Sequence, residues 1–235
     1  MRIHGLYALA DPAVRPDVPL PELCARLARG GASVVQIRWK GARAVDLLEA
    51  ARAALPLVHA AGAALVINDR PDIALLAGAD GVHVGADDLP VAEVRRLAGD
   101  RLAIGATVRD LEGARAAAAA GADHVGFGPV FATSTKAVDA APRGLDVLRL
   151  VAAESPVPVV AIAGIGLENI AAVAACGAAA AAVCSDAIRA EDVTARARAL
   201  VEAFARGASL PGERPVLAAA PPAGQDAARC VPSSS

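Results

Sequence analysis

Gly121-Ala-Asp-His-Val125 follows an alanine-rich segment and opens a short apolar run. The same junction recurs as Gly31-Ala-Ser-Val-Val35, Gly78-Ala-Asp-Gly-Val82 and Gly177-Ala-Ala-Ala-Ala181. At each, a helical segment ends on glycine and a strand follows at once. Glycine there takes a left-handed conformation that a Cβ resists, so it stops the helix. Working outward, the spacing predicts eight strands: Leu6–Ala10, Ser33–Arg38, Ala64–Asn68, Gly81–Val84, Leu102–Ala106, His124–Val130, Pro158–Ala163 and Ala180–Cys184. Stretches between them have helical periodicity, among them Pro21–Arg29, Ala44–Ala61, Val91–Leu97, Glu112–Ala120, Leu145–Ala153 and Leu167–Ala175. Strands alternating with helices imply parallel pairing through right-handed crossovers. The glycine junction precedes strands 2, 4, 6 and 8. A unit repeated every second strand, four times over, is the pattern of a (βα)8 TIM barrel, an α/β fold in a single domain. A doubly wound open sheet needs neither eight strands nor this spacing.

The barrel is expected over residues 1–206. Residues 207–235 are rich in Gly, Pro, Ala and Ser without apolar periodicity, and are expected to form a disordered tail. The net charge is −2 and the isoelectric point near 6.1. That balance argues against nucleic acid or an anionic membrane as partner, so any anion-binding region is local. Cys24, Cys176, Cys184 and Cys230 show no metal-site spacing and read as reduced thiols. The first residues lack the apolar core of a signal peptide, and Ile170–Cys184 is too short to span a bilayer. A cytoplasmic protein is expected. Self-association is compatible with the sequence, which sets no oligomeric state.

In such barrels the active site lies at the carboxyl ends of the strands. Strand 1 ends at Asp11. Strand 2 gives Gln36, Arg38 and Lys40, whose spacing of two puts all three on one strand face. A Gln-x-Arg-x-Lys alternation on a buried face suits a ligand better than a core, because each polar head needs a partner. Asn68 and Asp69 end strand 3, and Asp88 follows strand 4. Neighbouring strands lie roughly 5 Å apart, so the two carboxylates can share a hard cation such as Mg²⁺. Asp87 reads as a turn residue. Of the 23 basic residues only Lys40 and Lys136 are lysines. Lys136 ends Thr133-Ser134-Thr135-Lys136, a hydroxyl-rich run suited to phosphate oxygens, in a loop long enough to act as a lid. Gly164-x-Gly166 after strand 7 and Cys184-Ser185 after strand 8 occupy the usual phosphate site of these barrels. Two anion sites follow, one fit for a diphosphate and one for a monophosphate. His83 on strand 4 reads either as a hydrogen-bond partner for a substrate ring or as a satisfied core histidine. His4, His59 and His124 read as structural or exposed.

Val35-Gln-Ile-Arg-Trp-Lys40, Ile67-Asn-Asp-Arg-Pro-Asp72, Gly78-Ala-Asp-Gly-Val-His-Val-Gly85, the run Gly121–Lys136 and Pro158-Val-Val-Ala-Ile-Ala-Gly-Ile165 together resemble the thiamine-phosphate synthase family, in order, from about residue 5 to 205. The resemblance implies joining of a pyrimidine-methyl diphosphate to a thiazole phosphate with release of diphosphate. It implies that Arg38, Lys40, Asn68 and Lys136 hold the diphosphate and that Asp69 and Asp88 hold Mg²⁺. Gln36, His83 and Thr107 are then placed on the pyrimidine, and Thr133, Thr135, Gly164, Cys184 and Ser185 on the thiazole phosphate. The chain departs from the family pattern at Trp39, Ala86 and Ala163. Other readings are a thiazole tautomerase-like isomerase and a non-catalytic phosphometabolite-binding barrel. Retention of the cations and carboxylates favours the synthase.

Overall fold

The computed structural model describes residues 1–133 and 141–209. Eight parallel strands close into a barrel in sequence order: β1 Gly5–Ala10, β2 Val34–Ile37, β3 Ala64–Asn68, β4 Gly81–Val84, β5 Ala103–Val108, β6 His124–Phe127, β7 Val159–Ile162 and β8 Ala180–Val183. β8 pairs back onto β1, with Gly5 opposite Ala180. The outer ring comprises α1 Leu20–Arg29, α2 Ala44–Ala60, α3 Pro71–Ala77, α4 Val91–Ala98, α5 Leu111–Ala119, α6 Gly144–Glu154, α7 Ile170–Ala175, α8 Ser185–Ile188 and α9 Val193–Ala208.

The four expected junction glycines all have positive φ: 95° at Gly31, 72° at Gly78, 101° at Gly121 and 86° at Gly177. Each thus turns the chain from a helix into the strand beneath it, as the repeat requires. Period-two alternation then sorts the side chains. Leu6, Val35, Ile37, Leu65, Ile67 and Ile104 face the helices and are fully buried. A smaller apolar set fills the barrel interior, including Tyr7, Leu9, Val34, Val66, Val160 and Ala182.

Several boundaries differ from the sequence reading. β2 stops at Ile37, which leaves Arg38 and Lys40 on the outgoing loop. β6 stops at Phe127, because Pro129 has no N–H to extend the ladder. β5 runs on to Val108, and α7 begins at Ile170. α9 carries ordered helix to Ala208, two residues past the expected domain end at 206. It packs so closely that a Cβ on Gly207 would come 2.1 Å from the Ala171 carbonyl oxygen of α7. Residues 210–235 of the expected tail lie outside the described residues.

Candidate functional site

Two adjoining cavities open at the carboxyl end of the barrel. The smaller, about 110 Å³, is bordered by Gln36, Arg38, Lys40, Asn68, Asp69, His83, Asp88 and Thr107. The larger, about 440 Å³, is bordered by Arg38, Thr107, Thr133, Gly164, Cys184 and Ser185. Arg38 and Thr107 belong to both walls. Every candidate residue that is described therefore faces one cavity or the other. Thr135, Lys136 and the lid expectation lie outside the described residues.

The Gln-x-Arg-x-Lys run divides its work. Gln36 is 3% exposed, and its amide nitrogen donates to the Tyr7 hydroxyl at 3.2 Å. Arg38 donates to the Asp11 carboxylate, which is itself only 2% exposed. The other Asp11 oxygen accepts the Ala13 N–H at 2.9 Å. Asp11 is thus a buried counter-charge that fixes Arg38 between the chambers. Lys40 donates to Asp69 Oδ2 at 2.8 Å. Trp39, of opposite parity, packs against the outer core rather than into either cavity.

Asp69 sits in a left-handed backbone conformation, φ 64°, and its carboxylate lies beside that of Asp88. Asp88 accepts the Gly85 N–H at 2.8 Å. Burial lifts the Asp69 carboxyl above the usual carboxylate range, with Asp88 adding to the rise and Lys40 opposing it. Two converging hard oxygen donors under mutual repulsion fit a divalent cation that retains waters and substrate oxygens. Among the described residues no group of three or more His, Cys, Asp or Glu is placed to hold a metal. Asp87 is exposed and borders neither cavity.

The His83 imidazole Nε2 lies 2.9 Å from Thr107 Oγ1. On the far side, Asn169 staples the Gly164–Gly166 turn. Its Oδ1 accepts the Gly166 N–H and its Nδ2 donates to the Gly164 carbonyl, both at 2.9 Å. A Cβ on Gly164 would come 2.4 Å from the Ala132 carbonyl oxygen, so this glycine is demanded by the loop after β6 as well as by the cavity. Burial pushes the Cys184 thiol up to about 12, so it stays neutral. Asp186, beside Ser185, is neutralised by Arg196, whose Nε donates to it at 3.0 Å. Without that cation its charge would oppose a phosphate here.

The sequence reading left Asp11 without a role and passed over Asn169. The spacing of Asn169, three residues after Gly166, is the signal of a side chain capping that turn. His124, expected to be structural or exposed, is fully buried and borders the smaller cavity. It shares inward parity with Gly126, which was the available signal.

These features define a (βα)8 barrel with a two-chamber polar site at the carboxyl ends of its strands. A family model described as thiamine monophosphate synthase matches residues 6–187. The chain is 53% identical over 204 residues to the thiamine-phosphate synthase of Myxococcus xanthus, covering 87% of this chain and 94% of the relative. It is 52% identical to that of Anaeromyxobacter dehalogenans, covering 91% and 94%. The thiamine phosphate pyrophosphorylase of Pyrococcus furiosus superposes with a TM-score of 0.80 at 33% identity, covering 86% and 96%. The chain belongs to the thiamine monophosphate synthase family.

Proposed function

We propose that the chain condenses hydroxymethylpyrimidine diphosphate with hydroxyethylthiazole phosphate, giving thiamine phosphate and diphosphate. It acts as a pyrimidinylmethyl transferase. The observation that carries this reading is the meeting of two cavities at one buried-paired arginine. The smaller chamber, with its cations and carboxylate pair, suits a diphosphate on a small ring. The larger suits a phosphorylated second substrate.

The C–O bond between the methylene and the diphosphate breaks, and both electrons leave with diphosphate. The methylene cation is stabilised by the electron-rich pyrimidine. The thiazole nitrogen lone pair then forms the new C–N bond, so this step needs no side-chain base. Arg38, anchored by Asp11, holds charge at the junction where the leaving group departs. Lys40 and Lys136 add positive charge to the diphosphate, and Asn68 a hydrogen bond. Gln36, His83 and Thr107 orient the ring, while Thr133, Thr135, Gly164, Cys184 and Ser185 position the thiazole phosphate. Asp69 and Asp88 would hold Mg²⁺, which supplies charge neutralisation of the departing diphosphate. Catalysis then consists of positioning and electrostatics.

Both substrates are small and phosphorylated, which fits a cytoplasmic enzyme. No helix among the described residues is long and apolar enough to cross a membrane. The test is to mix both substrates with the protein, with and without Mg²⁺. Thiamine phosphate and diphosphate are expected in equal amounts, and only with the metal. Absence of both products under all conditions overturns the reading.

A further inference from the structure

α8 is the least self-sufficient element beside the larger cavity. It is a single turn, Ser185–Ile188, and Cys184 and Ser185 at its start border that cavity. One turn closes too few hydrogen bonds to hold its own shape. The N–H groups of Ala187 and Ile188 both donate to the Cys184 carbonyl, and that of Arg189 donates to the Ser185 carbonyl. The carbonyls at the far end of the turn need partners from outside it.

Arg15 supplies those partners. It stands in the loop between β1 and α1, and its side chain is only 17% exposed. Its Nη1 donates to the carbonyls of Ile188 and Ala190, both at 2.7 Å. A positive charge also suits the carbonyl end of a helical turn. Its Nε donates to the exposed Asp17 carboxylate at 3.0 Å. Arg15 is itself set in place by Asp11. The Asp11 carbonyl accepts the N–H groups of Val14 and Arg15 at 3.1 and 3.2 Å, and the Asp11 carboxylate accepts that of Ala13. The other tie on α8 is Asp186, held by Arg196 of α9. Two arginines from opposite ends of the chain therefore grip one turn.

We propose that Arg15 is a positioning residue for the second substrate: its grip on the end of α8 holds Cys184 and Ser185 where they meet the phosphate of the thiazole. Arg15 borders neither cavity, so it acts only through α8. The diphosphate chamber is independent of it, because the Asp11 carboxylate holds Arg38 directly. This inference rests on the synthase reading.

Steady-state kinetics on the full chain with Mg²⁺, varying each substrate in turn, test it. Arg15→Met keeps the apolar stem and removes the donors. It is expected to raise KM for hydroxyethylthiazole phosphate at least fivefold, and to leave kcat and KM for hydroxymethylpyrimidine diphosphate within twofold. Arg15→Lys, whose ammonium still offers three donors, is expected to recover part of the loss. Asp17→Asn removes only the exposed ion pair and is expected to match the wild type. If Arg15→Met does not fold, Arg15→Gln carries the same comparison. An unchanged KM for the thiazole phosphate overturns the proposal. A loss shared by both substrates also overturns it, since that is what a merely structural role produces. Asp17→Asn as impaired as Arg15→Met overturns it too, because the loop and not the grip on α8 is then responsible. A wild-type protein that forms no thiamine phosphate overturns the synthase reading itself, and the proposal with it.

Discussion

Ala163→Gly tests the backbone at the mouth of the larger cavity. Ala163 follows β7 with φ 81°, in the left-handed region. An L-residue with a Cβ pays about 1–2 kcal/mol there. Glycine removes that cost but loosens the unfolded chain by about 0.4–1 kcal/mol. Loss of the half-buried methyl takes away roughly 0.4 kcal/mol more. The balance is a stabilisation of about 0.5 kcal/mol, or roughly 1–2 °C in melting temperature for a chain of this size. The companion change, Gly164→Ala, runs the other way. Its φ is 65°, and the new Cβ would sit 2.4 Å from the Ala132 carbonyl oxygen and 2.7 Å from Phe131 Cβ. Strain and backbone clash together are expected to cost about 2 kcal/mol or more. Urea denaturation with an unchanged slope reads both values. A loss above about 1 kcal/mol in Ala163→Gly, or a neutral Gly164→Ala, would refute the reasoning.

Lys136→Ala and Asp69→Ala are each expected to abolish turnover while circular dichroism still reports a folded barrel; near wild-type rates for both sink the site assignment. Mg²⁺ is expected to raise the melting temperature of the wild type and not of Asp69→Asn, and equal shifts in the two proteins exclude Asp69 as a ligand. Asp11→Asn leaves Arg38 without its buried counter-charge and is expected to cost about 3 kcal/mol in urea denaturation, where a change below about 1 kcal/mol contradicts the pairing. The folded-state pKa of His124 is depressed from 6.5 to about 3, so its contribution is fully present above the unfolded value and fades as pH falls. Stability is expected to drop by up to about 1.4 kcal/mol per pH unit between those values. His124→Phe should lack that part of the slope, and identical pH profiles for the two proteins would show that the imidazole does not titrate as stated.

The eight strands and the quarter repeat were legible because the signal is local: a glycine forced into the left-handed region stops a helix wherever it stands. Parity placed Gln36, Arg38 and Lys40 correctly on one side, even though β2 ends before Arg38. What sequence could not supply was partnership across the barrel. Asp11 and Arg38 stand on different strands, and only barrel closure makes the carboxylate a counter-ion. The positive φ of Asp69 was equally hidden, since no glycine marks it. His124, read as structural or exposed, is fully buried; a histidine at a strand's first residue carries no mark of its own for facing inward, and Gly126, two residues on and bordering the same cavity, is the nearest signal. Ala163, one of the departures from the family pattern, holds a left-handed conformation that favours glycine.

β1 is completed by β8, and α9 fits against both α1 and α7. A Cβ on Gly30 of the α1 end would come 2.4 Å from Ala197 Cβ, as close a fit as that of Gly207 on α7. The first strand thus finds its second neighbour only after nearly the whole barrel has been translated. At ordinary elongation rates the interval between Gly5 and Ala180 is roughly 10–30 s. Through that interval the nascent β1 carries an open edge and an uncovered apolar face. Closure of the sheet is thus a late event in synthesis, and α9, the last of the described helices, is the latch that covers the seam.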